Sequence, residues 1–239
     1  MLKHSSRRGI LAAAATLAAT PISVFANTSA TKPGDKSPQM DNFKPYDIIN
    51  PKVHSDGKVV RLLFSYDCPY CRSYHNGLTQ WGASLPTPYR FEATPVITSH
   101  SDNIVLAIYG RLLIQGLAPS KVNLYDYTIY TKIQGDPDTG QAPITALSAE
   151  DIIRTVIQTS GVSGKDVQTF LKAQGQTIEK RLPAHATLIK TYGLKATPSV
   201  AIGGRIVITP DHAGANAQQY LLLLNAMVSR SIQGGIDAL

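Results

Sequence analysis

The pattern of apolar and polar positions predicts alternating strands and helices in the first half of the chain. A continuous apolar run, Val59 to Tyr66, has the length of a buried strand, and a helix is predicted from Pro69 to about Ser84. After a proline-rich turn at 86–88, Tyr89 to Ile97 is predicted to be a second strand. A short edge strand is predicted over Tyr46 to Ile49. A strand, a helix and a strand in this order predict a right-handed parallel crossover.

The apolar spacing then changes to a helical period, interrupted by a polar loop from Gly135 to Ala146. Ser148 followed by Asp151 matches a capping box, and Gly193 is typical of a helix end. We expect these helices, at about 101–192, to form an inserted helical subdomain. Their predicted starts are Asp102, Pro119, Ser148, Ser163 and Thr177.

The last part of the chain predicts a hairpin and a covering helix. Thr197 to Ile202 and Arg205 to Ile208 flank Gly203-Gly204, a two-residue hairpin signal. Pro198 cannot donate a ladder hydrogen bond at the start of this strand, and such positions are often occupied by a cis bond in a tight turn. Ala217 to Ile232 is predicted to be the final helix. The pattern as a whole indicates an α/β fold with a mixed central sheet.

The two cysteines of the chain stand together at a predicted helix start, as Cys68-Pro69-Tyr70-Cys71. Proline is favoured at the first helical position, so Cys68 is predicted to cap the helix, where free N–H groups and the helix dipole stabilise a thiolate. Cys71 lies one turn further on, within reach of a disulfide. We predict that this pair is redox-active.

Two other uses of the cysteines are less favoured. A purely structural disulfide here closes a very small loop, and the entropic gain from so short a loop is slight. Cys68, Cys71 and His75 offer three zinc ligands, but a closed structural site needs four, and no second cysteine pair supplies the fourth. We therefore expect no metal site.

The N-terminus has the three parts of a secretory signal peptide. Residues 1–26 contain Lys3, Arg7 and Arg8, an Ala-rich apolar stretch, and Ala26 at the expected cleavage site. The two adjacent arginines also resemble a twin-arginine signal, so either export route fits. We expect 27–44 to be a flexible polar leader and 45–239 to be the folded domain. The exported chain is predicted to work in the periplasm, where cysteines are used for disulfides.

The charge of the chain does not indicate a nucleic-acid partner. Three units of the formal net charge of +7 come from the basic residues of the predicted signal peptide. The remaining lysines and arginines are scattered, with no run that follows a phosphate backbone.

These motifs together resemble the DsbA-like thiol oxidoreductases, a branch of the thioredoxin fold. The resemblance covers Val59 to Ile232 and rests on the strand–Cys68-Pro69-Tyr70-Cys71–helix unit, the helical insertion, and Thr197-Pro198 leading into the glycine hairpin. It implies a thioredoxin fold, with a mixed central sheet and an inserted α-helical subdomain. It also implies catalysis of disulfide exchange with secreted or envelope proteins, without a cofactor.

The resemblance assigns roles to individual residues. Cys68 is the exposed nucleophile, Cys71 the resolving thiol, and Pro198 a cis-proline beside them. Thr197 offers its backbone to an extended substrate, and Pro69 and Tyr70 belong to the substrate-binding surface.

Three residues near the motif need a separate interpretation. Relatives often keep a buried acid six positions before the nucleophile, where this chain has Leu62, and Asp67 directly precedes Cys68. Asp67 is expected to oppose the thiolate unless it points to solvent. We expect His75 to be an ordinary helix-surface histidine, although its position also allows it to add positive charge near Cys68.

The direction of the reaction is expected to be oxidation. Isomerases and reductases share the fold, and Tyr70 and Thr197 resemble residues found among them. Isomerases, however, usually carry a dimerisation domain, and Asn27 to Lys58 is too short and polar for one, so we expect a monomeric oxidase. The resemblance implies a quinone-linked membrane partner that reoxidises the protein. A hypothesis from a different class is a soft-metal-binding or chaperone module that uses the same cysteines.

Overall fold

The computed structural model describes residues 44–98, 101–235 and 237. The predicted signal peptide and nearly all of the predicted leader lie outside these residues. Within them, five strands form one mixed sheet in the order β1-β5-β4-β2-β3. The strands are β1 (Asp47–Ile48), β2 (Val59–Phe64), β3 (Arg90–Pro95), β4 (Ser199–Ile202) and β5 (Ile206–Ile208). The helices are α1 (Pro69–Ala83), α2 (Asp102–Leu117), α3 (Val122–Gln134), α4 (Ala149–Ser160), α5 (Gly164–Glu179), α6 (Leu182–Tyr192) and α7 (Ala217–Gly234).

The sheet is built around β2. As predicted, β2 and β3 are parallel, with α1 as the crossover, and β4 runs antiparallel on the other side of β2. The predicted hairpin joins β4 to β5 through Gly203, Gly204 and Arg205, one residue more than the two-residue signal predicts, and the two glycines have φ values of 59° and 60°. A Cβ at Gly204 would lie 2.1 Å from the carbonyl oxygen of Val53. This close approach, together with the left-handed φ, requires glycine.

Helices cover both faces of the sheet. Alternate side chains of β2, including Leu62 and Phe64, join a large core with α1, α7 and the inserted helices α2 to α5. Leu63 points to the opposite face, where it packs in a smaller core with Tyr192 of α6. The helices between β3 and β4 therefore form two groups. The helices α2 to α5 enlarge the main core, whereas α6 covers the second face of the sheet.

One predicted helix start is wrong. Ser148 and Ser163 cap α4 and α5, and Ser148 forms the predicted capping box with Asp151. Thr177, by contrast, lies inside α5, and the next helix begins at Leu182. Ile178 is buried and continues the apolar face of α5, so packing extends this helix through Thr177, although threonine is also common at helix caps.

Candidate active site

The two cysteines lie at the junction between β2 and α1. Cys68 is the N-cap residue of α1, and its sulfur accepts a hydrogen bond from the backbone N–H of Cys71 at 3.4 Å. Cys68 is half-buried, whereas Cys71 is only 1% exposed, and both thiols are free. A reaction partner therefore reaches the first sulfur more readily than the second.

The surroundings make the two thiols chemically unequal. Hydrogen bonding from the Cys71 thiol lowers the pKa of Cys68 most strongly, and hydrogen bonds from Thr197 and from the backbone N–H groups of Cys71 and Tyr70 lower it further. Burial opposes these effects, but the pKa still falls to about 6. Burial raises the pKa of Cys71 far above its ordinary value, and its interactions with Cys68 raise it further. Cys68 is therefore the thiolate at neutral pH, and Cys71 keeps its proton.

The start of β4 completes the site. The Thr197–Pro198 peptide bond is cis, which is the isomer that the sequence predicts. Since β4 pairs with β2, Thr197 lies beside the cysteines, and the Cys68 sulfur lies 3.2 Å from the Thr197 carbonyl oxygen. Pro69 and Tyr70 are exposed at the start of α1, and the Tyr70 side chain is 68% exposed. Of the residues predicted for the site, Cys68, Pro69, Tyr70 and Thr197 thus reach the surface, whereas Cys71 and Pro198 are buried.

The end of α3 fixes the backbone that carries Cys68, which sequence reasoning missed. The side-chain amide of Gln134 donates to the carbonyl oxygens of Tyr66 and Cys68, at 2.7 and 3.1 Å. Arg72 of α1 donates to the Gly135 carbonyl oxygen at 2.6 Å. A glutamine at the end of a helix has no sequence signal for this role, because the role depends on where α3 docks.

Asp67 is exposed and hydrogen-bonded. Its carboxylate accepts from the hydroxyl groups of Ser65 and Thr98, the latter at 2.9 Å. These hydroxyls and the surrounding water screen its charge, so its repulsion of the Cys68 thiolate is weak.

The expectation that His75 is a surface residue is wrong. His75 is only 6% exposed, and its ring packs edge-on against Phe64 and lies 5.3 Å from that of Tyr130. It lies one turn after Cys71 on the buried face of α1, and α3 covers this face. Leu62 is fully buried in the same core, so β2 supplies no acid there.

In the described part of the chain, no group of three or more His, Cys, Asp or Glu side chains is arranged to hold a metal ion. Within the same residues, every helix is too short or too polar to span a bilayer.

The comparisons with known proteins identify the fold. No protein-family model matches the sequence. An uncharacterized protein of Haemophilus influenzae is 23% identical over 171 residues, which cover 71% of this chain and 67% of that protein. The structure is similar to Pseudomonas aeruginosa DsbA, with a TM-score of 0.61, 17% identity, and coverage of 80% of this chain and 94% of that one.

Further solved structures agree. The oxidoreductase DsbA from Xylella fastidiosa has a TM-score of 0.60 and 22% identity, over 79% of this chain and 95% of that one. A Proteus mirabilis DsbA variant, solved with a non-covalently bound peptide, has a TM-score of 0.62 and 14% identity, over 80% and 98% of the two chains. The chain therefore has the fold of the DsbA oxidoreductases, with a cysteine pair at Cys68 and Cys71.

Proposed function

We propose that this protein is a thiol:disulfide oxidoreductase that introduces disulfides into reduced exported proteins. The observation that carries the proposal is the contrast between the two sulfurs: a half-buried Cys68 with a pKa of about 6 next to a buried Cys71 with a raised pKa. The partial exposure of Cys68 gives a substrate thiolate access to its sulfur, and the low pKa makes that sulfur a good leaving group.

The reaction follows from this contrast. A substrate thiolate attacks Cys68 in the Cys68–Cys71 disulfide, the S–S bond breaks, and Cys71 leaves and takes up a proton. A second substrate thiolate then attacks the substrate sulfur of the mixed disulfide, and Cys68 leaves as a stable thiolate. The substrate loses two electrons to the cysteine pair and gains a disulfide. The low pKa of Cys68 favours this direction because it stabilises the reduced enzyme.

The surface around Cys68 suits an extended peptide. Thr197 precedes β4 beside Cys68, so its backbone can pair with a substrate segment in the manner of an added strand. The exposed Tyr70 ring and Pro69 offer apolar contact next to the reacting sulfur. The peptide bound to the Proteus mirabilis DsbA variant supports this class of substrate.

The setting of the reaction is also part of the proposal. An N-terminal export signal places the enzyme in the periplasm, where it acts as a monomer. A quinone-linked membrane protein then reoxidises Cys68 and Cys71 after each cycle. The fold of the DsbA oxidoreductases and the composition of the first 26 residues support this setting.

Trapping of mixed disulfides tests the proposal. Oxidised wild-type protein is expected to restore activity to reduced, unfolded ribonuclease. Cys71→Ala is expected to accumulate Cys68-linked mixed disulfides with oxidised clients, because the resolving thiol is absent, while Cys68→Ala accumulates few. Non-reducing gels with mass spectrometry measure both. Equal trapping by the two variants would refute the assigned roles, and failure of the wild type to oxidise ribonuclease would refute the oxidase function.

A further inference from the structure

We propose that His75, held between Asp126 and Tyr130, accepts the proton of Cys71 when the disulfide re-forms and returns it when the disulfide opens. This proposal rests on the thiol:disulfide exchange proposed above. It assigns a chemical role to a buried polar cluster, which consists of Tyr66, His75, Arg111, Asp126 and Tyr130.

The positions of the two residues on α1 place them together. Cys71 and His75 are four residues apart, so their side chains lie on the same face, with Cβ atoms about 5–6 Å from each other. Both side chains are buried, at 1% and 6% exposure. Water therefore has little access to the Cys71 thiol, and a proton acceptor has to come from the protein.

The imidazole has two neighbours on α3. The Tyr130 hydroxyl lies 3.4 Å from Nδ1, and Oδ2 of Asp126 lies 3.2 Å from Nε2. Nε2 is a buried polar atom without a hydrogen-bond partner among the described residues, so its contact with Asp126 is electrostatic. The Asp126 carboxylate is therefore close enough to balance the charge of the ring when the ring carries the proton of Cys71.

The rest of the cluster keeps its protonation state near neutral pH. Burial raises the pKa of Asp126, but Arg111, His75 and Tyr66 outweigh burial and leave the pKa lowered. Burial raises the pKa of both Tyr66 and Tyr130. Arg111 stays charged, in an ion pair with Asp126 at 3.0 Å. Histidine is the side chain that changes charge in this pH range. The ionisable groups around His75 are Tyr66 after β2, Arg111 on α2, Asp126 and Tyr130 on α3, and Cys71 on α1.

The step needs no reactant beyond the disulfide of a reoxidising partner. With the partner's sulfur bound to Cys68, the S–H bond of Cys71 breaks and the proton passes to the His75 ring, directly or through the Tyr130 hydroxyl. The Cys71 sulfur attacks Cys68, the bond from Cys68 to the partner breaks, and the partner leaves as a thiolate. Leu62, on β2, has no atom that accepts a proton.

Single-turnover exchange with oxidised glutathione separates this step from the preceding one. Acid quenching and mass spectrometry follow the attack of Cys68 on glutathione, which joins glutathione to Cys68, and then its release by Cys71. In His75→Gln, release is expected to slow about 100-fold at about pH 7, as for a lost general base, and to rise with pH without the plateau of the wild type. The rate of the attack by Cys68 is expected to stay within about twofold of the wild-type rate. His185→Gln, a change at another buried histidine, leaves both steps unchanged.

The outcomes are distinct. A wild-type rate and pH profile of release in His75→Gln would overturn the proposal, and so would an equal slowing of both steps, which indicates a structural role. If wild-type Cys68 takes up no glutathione, the proposed function itself fails. If circular dichroism shows that His75→Gln does not fold, NMR titration of His75 in the wild type decides. The midpoint of that titration has to coincide with the inflection of the release profile, and a separate midpoint would overturn the proposal.

Discussion

At the scale of single residues, the site depends on the unequal surroundings of two identical side chains. The sequence predicts an acidic Cys68 from its place at a helix start. In the structure the helix N–H groups contribute, but the hydrogen bond from the Cys71 thiol has the largest effect. The resolving cysteine therefore also prepares the nucleophile.

Alkylation of Cys68 by iodoacetamide tests this origin of its acidity. In the wild type the midpoint of the rate against pH is expected at about 6. Cys71→Ala is expected to raise the midpoint toward about 8.5, without reaching it because the helix N–H groups remain. Cys71→Ser retains a hydrogen-bond donor, so its midpoint is expected to lie between those of the wild type and Cys71→Ala. Equal midpoints in wild type and Cys71→Ala would contradict the assigned role of the Cys71 thiol.

At the scale of elements, the docking of α3 against the β2–α1 junction sets the position of Cys68. Gln134 satisfies two carbonyl oxygens of the segment that carries the nucleophile. An unpaired buried carbonyl is costly, so this side chain is expected to stabilise the junction and to restrict its motion.

Gln134→Ala tests this anchoring. The variant is expected to lose about 1–2 kcal/mol of unfolding free energy, because two hydrogen bonds are removed. Gln158→Ala, on the exposed face of α4, is the matched control and is expected to change stability by less than about 0.5 kcal/mol. Chemical denaturation measures both. Equal losses in the two variants would show that the contacts of Gln134 do not stabilise the junction.

The sequence predicts those elements that depend on local signals. The apolar run before Cys68, the capping box at Ser148 and the glycine pair at Gly203 are local signals, and the structure confirms the strand, the helix start and the hairpin. Burial of His75 and anchoring by Gln134 depend on how α3 packs against α1. No local pattern encodes such a contact between distant segments, and so the sequence predicts the surface of the site better than its interior.

At the scale of the whole molecule, ionisation of Cys68 links redox state to stability. The pKa of Cys68 in the folded reduced protein is about 6, below the value of about 8.5 for an unperturbed cysteine. A lowered pKa stabilises the folded reduced form at alkaline pH, and this stabilisation is lost as pH falls through about 6.

Melting of both redox forms tests this linkage. The reduced form is expected to melt above the oxidised form at about pH 8, and the difference is expected to shrink as pH falls through about 6. Reduced Cys68→Ala is expected to lack this pH dependence. A difference in melting temperature that is constant from about pH 8 to about pH 5 would contradict the linkage.

The reduction potential, measured by equilibration with glutathione, tests the proposed direction of the reaction most directly. A stabilised Cys68 thiolate favours the reduced enzyme and makes its disulfide a strong oxidant, while the screened carboxylate of Asp67 opposes this only weakly. We predict a potential well above that of thioredoxin, about −270 mV, and nearer to those of the oxidising members of the fold, about −120 mV. A value near that of thioredoxin, with the oxidised form the more heat-stable, would mean that the protein is a reductant.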